Sequence, residues 1–211
     1  MEKEKVDHYD VNEVIDRFNI EKIFNSAVLD HWMNIPTLSL KPAYQEVLEE
    51  ARQNLLTKWD EWNEEELKIN FISIVLFAAQ LNEPKRIATY FERKLSGKVN
   101  DIPISVKVDC MIATPMKSGR PKVPYFCMQE YKRSKGDSHD PEGQMLAAMI
   151  LAQNLNADGK PLYGCWIQGK FWHFTVLQGT DYIVSQSFDA TSAIQILQIV
   201  SILNKIKQLV L

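Results

Sequence analysis

The stretch Pro124-Tyr125-Phe126-Cys127-Met128-Gln129-Glu130-Tyr131-Lys132 is apolar and aromatic until it places a carboxylate and an ammonium two residues apart. Side chains of a strand alternate faces with a period of two, so Glu130 and Lys132 are expected on one face. A second strand pattern, residues 104–113, precedes it and carries one acid, Asp109. The basic segment 114–123 between them holds Gly119 and Pro121, which mark a chain reversal. A reversal centred between Gly119 and Arg120 sets Asp109 opposite Glu130. Two carboxylates so placed, with Cβ atoms about 5 Å apart, repel unless a cation sits between them. A divalent metal would serve. A register slid by two pairs Asp109 with Lys132 instead, as an ordinary ion pair.

Spacing alone is weak, because Glu66-x-Lys68, Glu83-x-Lys85 and Glu92-x-Lys94 repeat it. Context separates them: the first falls in a helical pattern, the second straddles Pro84, and the third lies in a charged segment. Only Glu130 and Lys132 end an apolar run beside a second strand bearing an acid.

A chain of 211 residues, 45% hydrophobic, can bury one core without staples. Its charged opening, Met1 to Lys5, lacks a signal peptide's apolar centre, and the apolar run 71–81 is broken by Ser73 and Gln80. A cytoplasmic protein that does not enter membranes is the expectation. Cys110, Cys127 and Cys165 are odd in number and widely spaced, which suits buried thiols better than a disulfide framework. The net charge of −3 gives no global attraction to nucleic acid. Binding would rest on local clusters: Lys117, Arg120 and Lys122 before the acidic strand, and Arg133 and Lys135 after it. His8, His31, His139 and His173 lack zinc-ligand spacing, and no Ser or Cys nucleophile motif occurs.

The first eighty residues read as helical. An interrupted stripe of Val14, Phe18, Ile23 and Val28 predicts a helix over 11–34, Pro42 opens another, and Asn63 caps a third running from Glu64 to about Leu81. Residues 87–95 then read as a strand, with a turn at Ser96-Gly97 before the two acidic strands. Asp140-Pro141 starts a helix with Gln144 in its first turn, three short strands follow within 162–188, and Asp189 opens a final helix. The sum is an α/β fold with a central mixed β-sheet flanked by helices. Its organisation is an N-terminal helical extension, 1–63, packed on a core, 64–211.

That order and those residues resemble the PD-(D/E)XK, or restriction-endonuclease-like, nuclease superfamily. The likeness covers roughly residues 64–170, and the runs around Glu130 and Gln144 also look like those of a bacterial group placed in that superfamily. It implies an αβββαβ core and Mg²⁺-dependent hydrolysis of phosphodiester bonds, most simply in DNA, with Mn²⁺ as a substitute ion. The implied metal ligands are Asp109, Glu130 and the Tyr131 carbonyl. Lys132 would act on the attacking water, while Glu64 or Glu65 and Gln144 would complete the site. Val108 stands where the superfamily name has Pro, and Gln144 is not followed by Tyr four residues on, as it is in one exonuclease branch. A catalytically inactive module on the same fold, binding nucleic acid or protein, is the alternative. Monomer and homodimer both stay open.

Overall fold

The computed structural model of the protein describes residues 9–133 and 140–209. Lys135 and His139 lie outside them, and of Glu130 only the backbone is described. One mixed sheet of eight strands organises the chain. Its order is β1 (Glu21–Ile23), β7 (Asp181–Val184), β6 (Phe171–Gln178), β5 (Leu162–Gln168), β4 (Pro121–Lys132), β3 (Ile102–Pro115) and β2 (Ala88–Val99), with β8 (Phe188–Asp189) paired to β6. β4 runs parallel to β5, and β1 runs parallel to β7; the other pairs are antiparallel.

Two apolar layers cover the sheet. On one face lie α2 (Ala27–Met33), α3 (Pro42–Lys58), α5 (Ser73–Ala78) and α7 (Ala193–Leu209), around Trp32, Phe71, Trp172 and Phe174. On the other lie α1 (Val11–Phe18) and α6 (Pro141–Asn156), around Met145, Leu146, Met149 and Tyr182. α6 forms where strong helix formers follow a good cap: the Asp140 carboxylate accepts from the Glu142 N–H at 2.9 Å, and Pro141 takes the first turn. Asp140 also accepts the Val11 N–H at 2.8 Å, which fixes the N-terminal segment to the start of α6.

Three expectations need correction. The helix expected over 11–34 is α1, then β1, then α2, because Asn19 takes a left-handed φ of 52° and ends α1. The apolar stripe belongs to three elements in turn, so the N-terminal extension is not wholly helical. The turn expected at Ser96-Gly97 falls at Asn100-Asp101, with φ of 49° and 62°. That is a two-residue hairpin loop whose twist matches its strands. Gly97 stays inside β2 opposite Ile104, where a Cβ would stand 2.8 Å from Leu151 Cδ1 of α6, so its lack of a side chain serves packing. Finally, α7 starts at Ala193 rather than Asp189, which instead accepts the Thr191 N–H and hydroxyl at 2.9 and 2.6 Å.

The acidic strands pair in the expected register by an unexpected route. The reversal closes at Met116–Gly119, where the Gly119 N–H donates to the Met116 carbonyl at 2.9 Å, and Pro115 pairs with Pro121. Two register shifts, either side of the Ala113–Tyr125 pair, absorb the extra β4 residues. Beyond them Ile112 pairs with Cys127 and Cys110 with Gln129, so the next position places Asp109 opposite Glu130.

Candidate functional site: a lysine among four carboxylates

The helical segment that reaches the acidic strands begins at α4 (Glu64–Leu67), continues as a π-helical turn over Lys68–Ile72, and ends as α5. Asn63 and Glu66 form a capping box, with bonds of 2.9 and 2.8 Å, which uses Glu66 locally. Glu64 is thereby left to face the sheet. Its Oε2 lies 3.1 Å from Lys132 Nζ, and its Oε1 lies 2.9 Å from Lys68 Nζ. Glu65 is 71% exposed and stands 3.4 Å from Lys68, so of the three adjacent glutamates it is Glu64 that joins the acids of the sheet.

Asp109 is buried at a switch in β3. Before it, Ile104, Val106 and Val108 pack on the α6 side; after it, Cys110 and Ile112 pack on the opposite layer while Met111 and Ala113 face α6. The alternation therefore changes parity at Asp109. Its neighbour across β2 is Glu92, flanked by the pairs Phe91–Cys110 and Arg93–Val108, and Glu92 has a φ of 54°. A left-handed non-glycine residue there costs about 1 kcal/mol, and strain of this kind gathers at functional sites. The Asp109 carboxylate accepts the Tyr131 N–H at 2.8 Å on Oδ2 and meets Lys68 Nζ at 2.9 Å on Oδ1. Lys68 also lies 3.2 Å from Glu92, which Lys107 pairs on its other oxygen.

Burial pushes the Asp109 carboxyl up, against the opposing pull of Lys68 and the Tyr131 N–H. Burial pushes Glu64 the same way, but hydrogen bonds and charge from Lys68 and Lys132 outweigh it and hold Glu64 below the usual range. For Lys68, burial is outweighed by Glu64 and Asp109, and the ammonium is favoured. Lys132 is buried. The Tyr131 ring is buried in the layer with Cys110, so a ligand role for this residue belongs to its backbone.

Gln144 sits half-buried in the first turn of α6, and its Oε1 has no hydrogen-bond partner among the described residues. A buried amide oxygen without a donor is an open acceptor. Beside β4, Trp166 pairs in register with Glu130 and His173 with Trp166. The two rings stack at 3.7 Å and 8° and line a cavity of about 700 Å³ with Lys22 and Glu142, which are ion-paired at 2.7 Å.

Among the described residues no three or more His, Cys, Asp and Glu side chains are arranged to hold a metal ion. The donor chemistry nonetheless suits a hard cation, since the Glu64 and Asp109 carboxylates meet where a positive charge, the Lys68 ammonium, already stands. The basic loop is not part of this cluster. Lys117, Arg120 and Lys122 are exposed at the other end of β4, and from Lys122 to Lys132 the strand extends about 30 Å at ~3.3 Å per residue. Arg133 is exposed next to Lys132.

Sequence spacing does not find Lys68 and Glu92. The Glu64–Lys68 spacing is that of an ordinary helical pair, and the left-handed backbone of Glu92 has no glycine to announce it. No family model and no curated protein matches the chain. Among the described residues no helix is long and apolar enough to cross a membrane.

Proposed function

We propose that the protein is a Mg²⁺-dependent nuclease of the PD-(D/E)XK type, cutting phosphodiester bonds, most simply of DNA in the cytoplasm. The observation that carries this reading is the convergence of Glu64, Asp109 and Lys132 from a helix start and two adjacent strands, with Glu130 next in register. The element order supports it: a helical segment, the antiparallel run β2–β3–β4, helix α6, then β5 parallel to β4.

Asp109, Glu130 and the Tyr131 carbonyl would hold the ion, with Glu64 and Gln144 at outer positions. Bound Mg²⁺ or Mn²⁺ supplies a water of lowered pKa and neutralises charge on the phosphate. Lys132, buried and oriented by Glu64, would hold the attacking water by a hydrogen bond and stabilise its deprotonated form. Trp166 and His173, which line the cavity beside β4, would give a base an aromatic wall to lie against.

The test is cleavage of supercoiled, linear and single-stranded DNA, and of RNA, with Mg²⁺ or Mn²⁺ against a chelator control. Metal-dependent cleavage that is lost in Glu130→Gln supports the reading; full activity in that variant overturns it. A catalytically inactive binding module on the same fold is favoured by one observation, the lysine standing among the acids. It predicts nucleic-acid binding with no cleavage in either ion.

A further inference from the structure

We infer that Lys68 is a resident cation of this site, holding Glu64 and Asp109 in place of a divalent ion and yielding them when one binds, so that it sets the metal affinity. The inference rests on the metal-site reading above and adds a residue to it.

Nζ of Lys68 meets Glu64 and Asp109 at 2.9 Å each, and Glu92 and Glu65 at 3.2 and 3.4 Å. An ammonium has three N–H donors. Four carboxylates therefore oversubscribe it; Lys107 on Glu92 and Lys132 on Glu64 offset part of the remaining negative charge, and what is left unbalanced draws in a cation of higher charge. The four acids also divide by depth. Asp109 and Glu64 form an inner pair, with side chains 10% and 30% exposed, whereas Glu92 and Glu65 stand at the rim, 43% and 71% exposed. The lysine stem is long and flexible, and Lys68 opens the π-helical turn, an irregularity frequent at functional positions. By moving toward the rim, Lys68 keeps Glu92 and Glu65 as partners while releasing both inner carboxylates. Displacement then costs less than exposing an unpaired ammonium, and an incoming ion meets a site already assembled.

The experiment is calorimetric titration of the full chain with Mn²⁺, beside thermal melts with and without the ion, for wild type, Lys68→Gln and Lys68→Arg. Removing a unit charge from the seat should tighten Mn²⁺ binding in Lys68→Gln by at least about tenfold. The same variant should melt lower than wild type without metal and gain more from Mn²⁺. Lys68→Arg keeps the charge and should bind no tighter than wild type, which also covers the case in which the glutamine variant does not fold. Unchanged or weaker binding in Lys68→Gln overturns the inference while leaving the metal site standing, as does tight binding in Lys68→Arg. Absence of Mn²⁺ binding in wild type and in both variants overturns the metal-site reading and this inference together.

Discussion

Glu92 and Asp109 face each other across β2 and β3 at the point where the side-chain alternation of β3 changes face. Carboxylates opposed in this way repel, and the Lys68 ammonium reaches both, at 3.2 and 2.9 Å. Glu92 holds its place at the expense of a left-handed backbone. Local strain and charge repulsion thus meet at one pair of positions, and a lysine from the helical segment offsets the repulsion.

The strain can be measured separately from the charge. Glu92→Gly and Glu92→Ala both lose the carboxylate, so their difference isolates the backbone. With φ at 54°, glycine should be more stable than alanine by about 1 kcal/mol. Urea denaturation of the two variants checks this, and an alanine variant as stable as the glycine variant would show that the backbone relaxes there.

Neutralising Asp109 should cost both activity and stability. Asp109→Asn leaves Lys68 half of its inner pair and weakens the acceptor for the Tyr131 N–H, a loss on the order of 1–3 kcal/mol in the metal-free protein. Cleavage should vanish with it. Lys132→Ala should lose turnover yet still bind Mn²⁺, since the proposed role of Lys132 is on the water. Thermal melts, calorimetry and a cleavage assay on the same samples separate these outcomes; an Asp109→Asn protein more stable than wild type would mean that repulsion, not pairing, dominates the site.

What the sequence discloses here is local chemistry and strand pairing. Asn63 and Asp140-Pro141 are legible because a cap is decided within one turn. The opposition of Asp109 and Glu130 is legible because both strands are long and apolar, even though the reversal lies closer to Met116 and the register is restored by two shifts. Gly97 misleads, since glycine serves both a turn and a close approach, and only the position of Leu151 decides between them. Lys68 and Glu92 are hidden for a different reason. Each belongs to a Glu-x-Lys pair that context sets aside, and it is three-dimensional packing, through a π-helical turn and a left-handed residue, that brings them to Asp109.

The distance of the basic loop from the acids makes its role depend on substrate length. Changing Lys117, Arg120 and Lys122 together to Ala should weaken binding of long duplexes and flatten its salt dependence. About 30 Å of strand corresponds to roughly nine base pairs at ~3.4 Å each, so duplexes shorter than that should bind the triple variant and wild type alike. Equal loss on short and long duplexes would mean that the loop acts through the fold; no loss on either would place the binding face elsewhere.

His173 gives the fold a dependence on pH that is independent of the acid cluster. Burial holds its imidazole down to about 4 from an ordinary 6.5, with the Lys22 charge acting the same way and a hydrogen bond to the Ser185 backbone opposing both. Facing it across the cleft are Trp166 on β5, Lys22 on β1, Asp30 on α2 and Glu142 on α6. Because the folded value is depressed, the unfolded chain takes up a proton below pH 6.5 that the folded protein refuses until about pH 4. The contribution is therefore fully present above pH 6.5, falls as the pH drops through that window, and is gone below it. The shift sets an upper limit of about 3 kcal/mol, and screening at a half-buried ring lowers this to on the order of 1–2 kcal/mol. His173→Phe keeps an aromatic face against Trp166 and removes the titration. Urea denaturation of both proteins at pH 7.5 and 4.5 should show the wild type losing more stability than the variant between the two conditions, other carboxylates being common to both. Parallel losses would mean that the folded imidazole takes up its proton in the same pH range as the unfolded chain, so that burial does not hold it neutral.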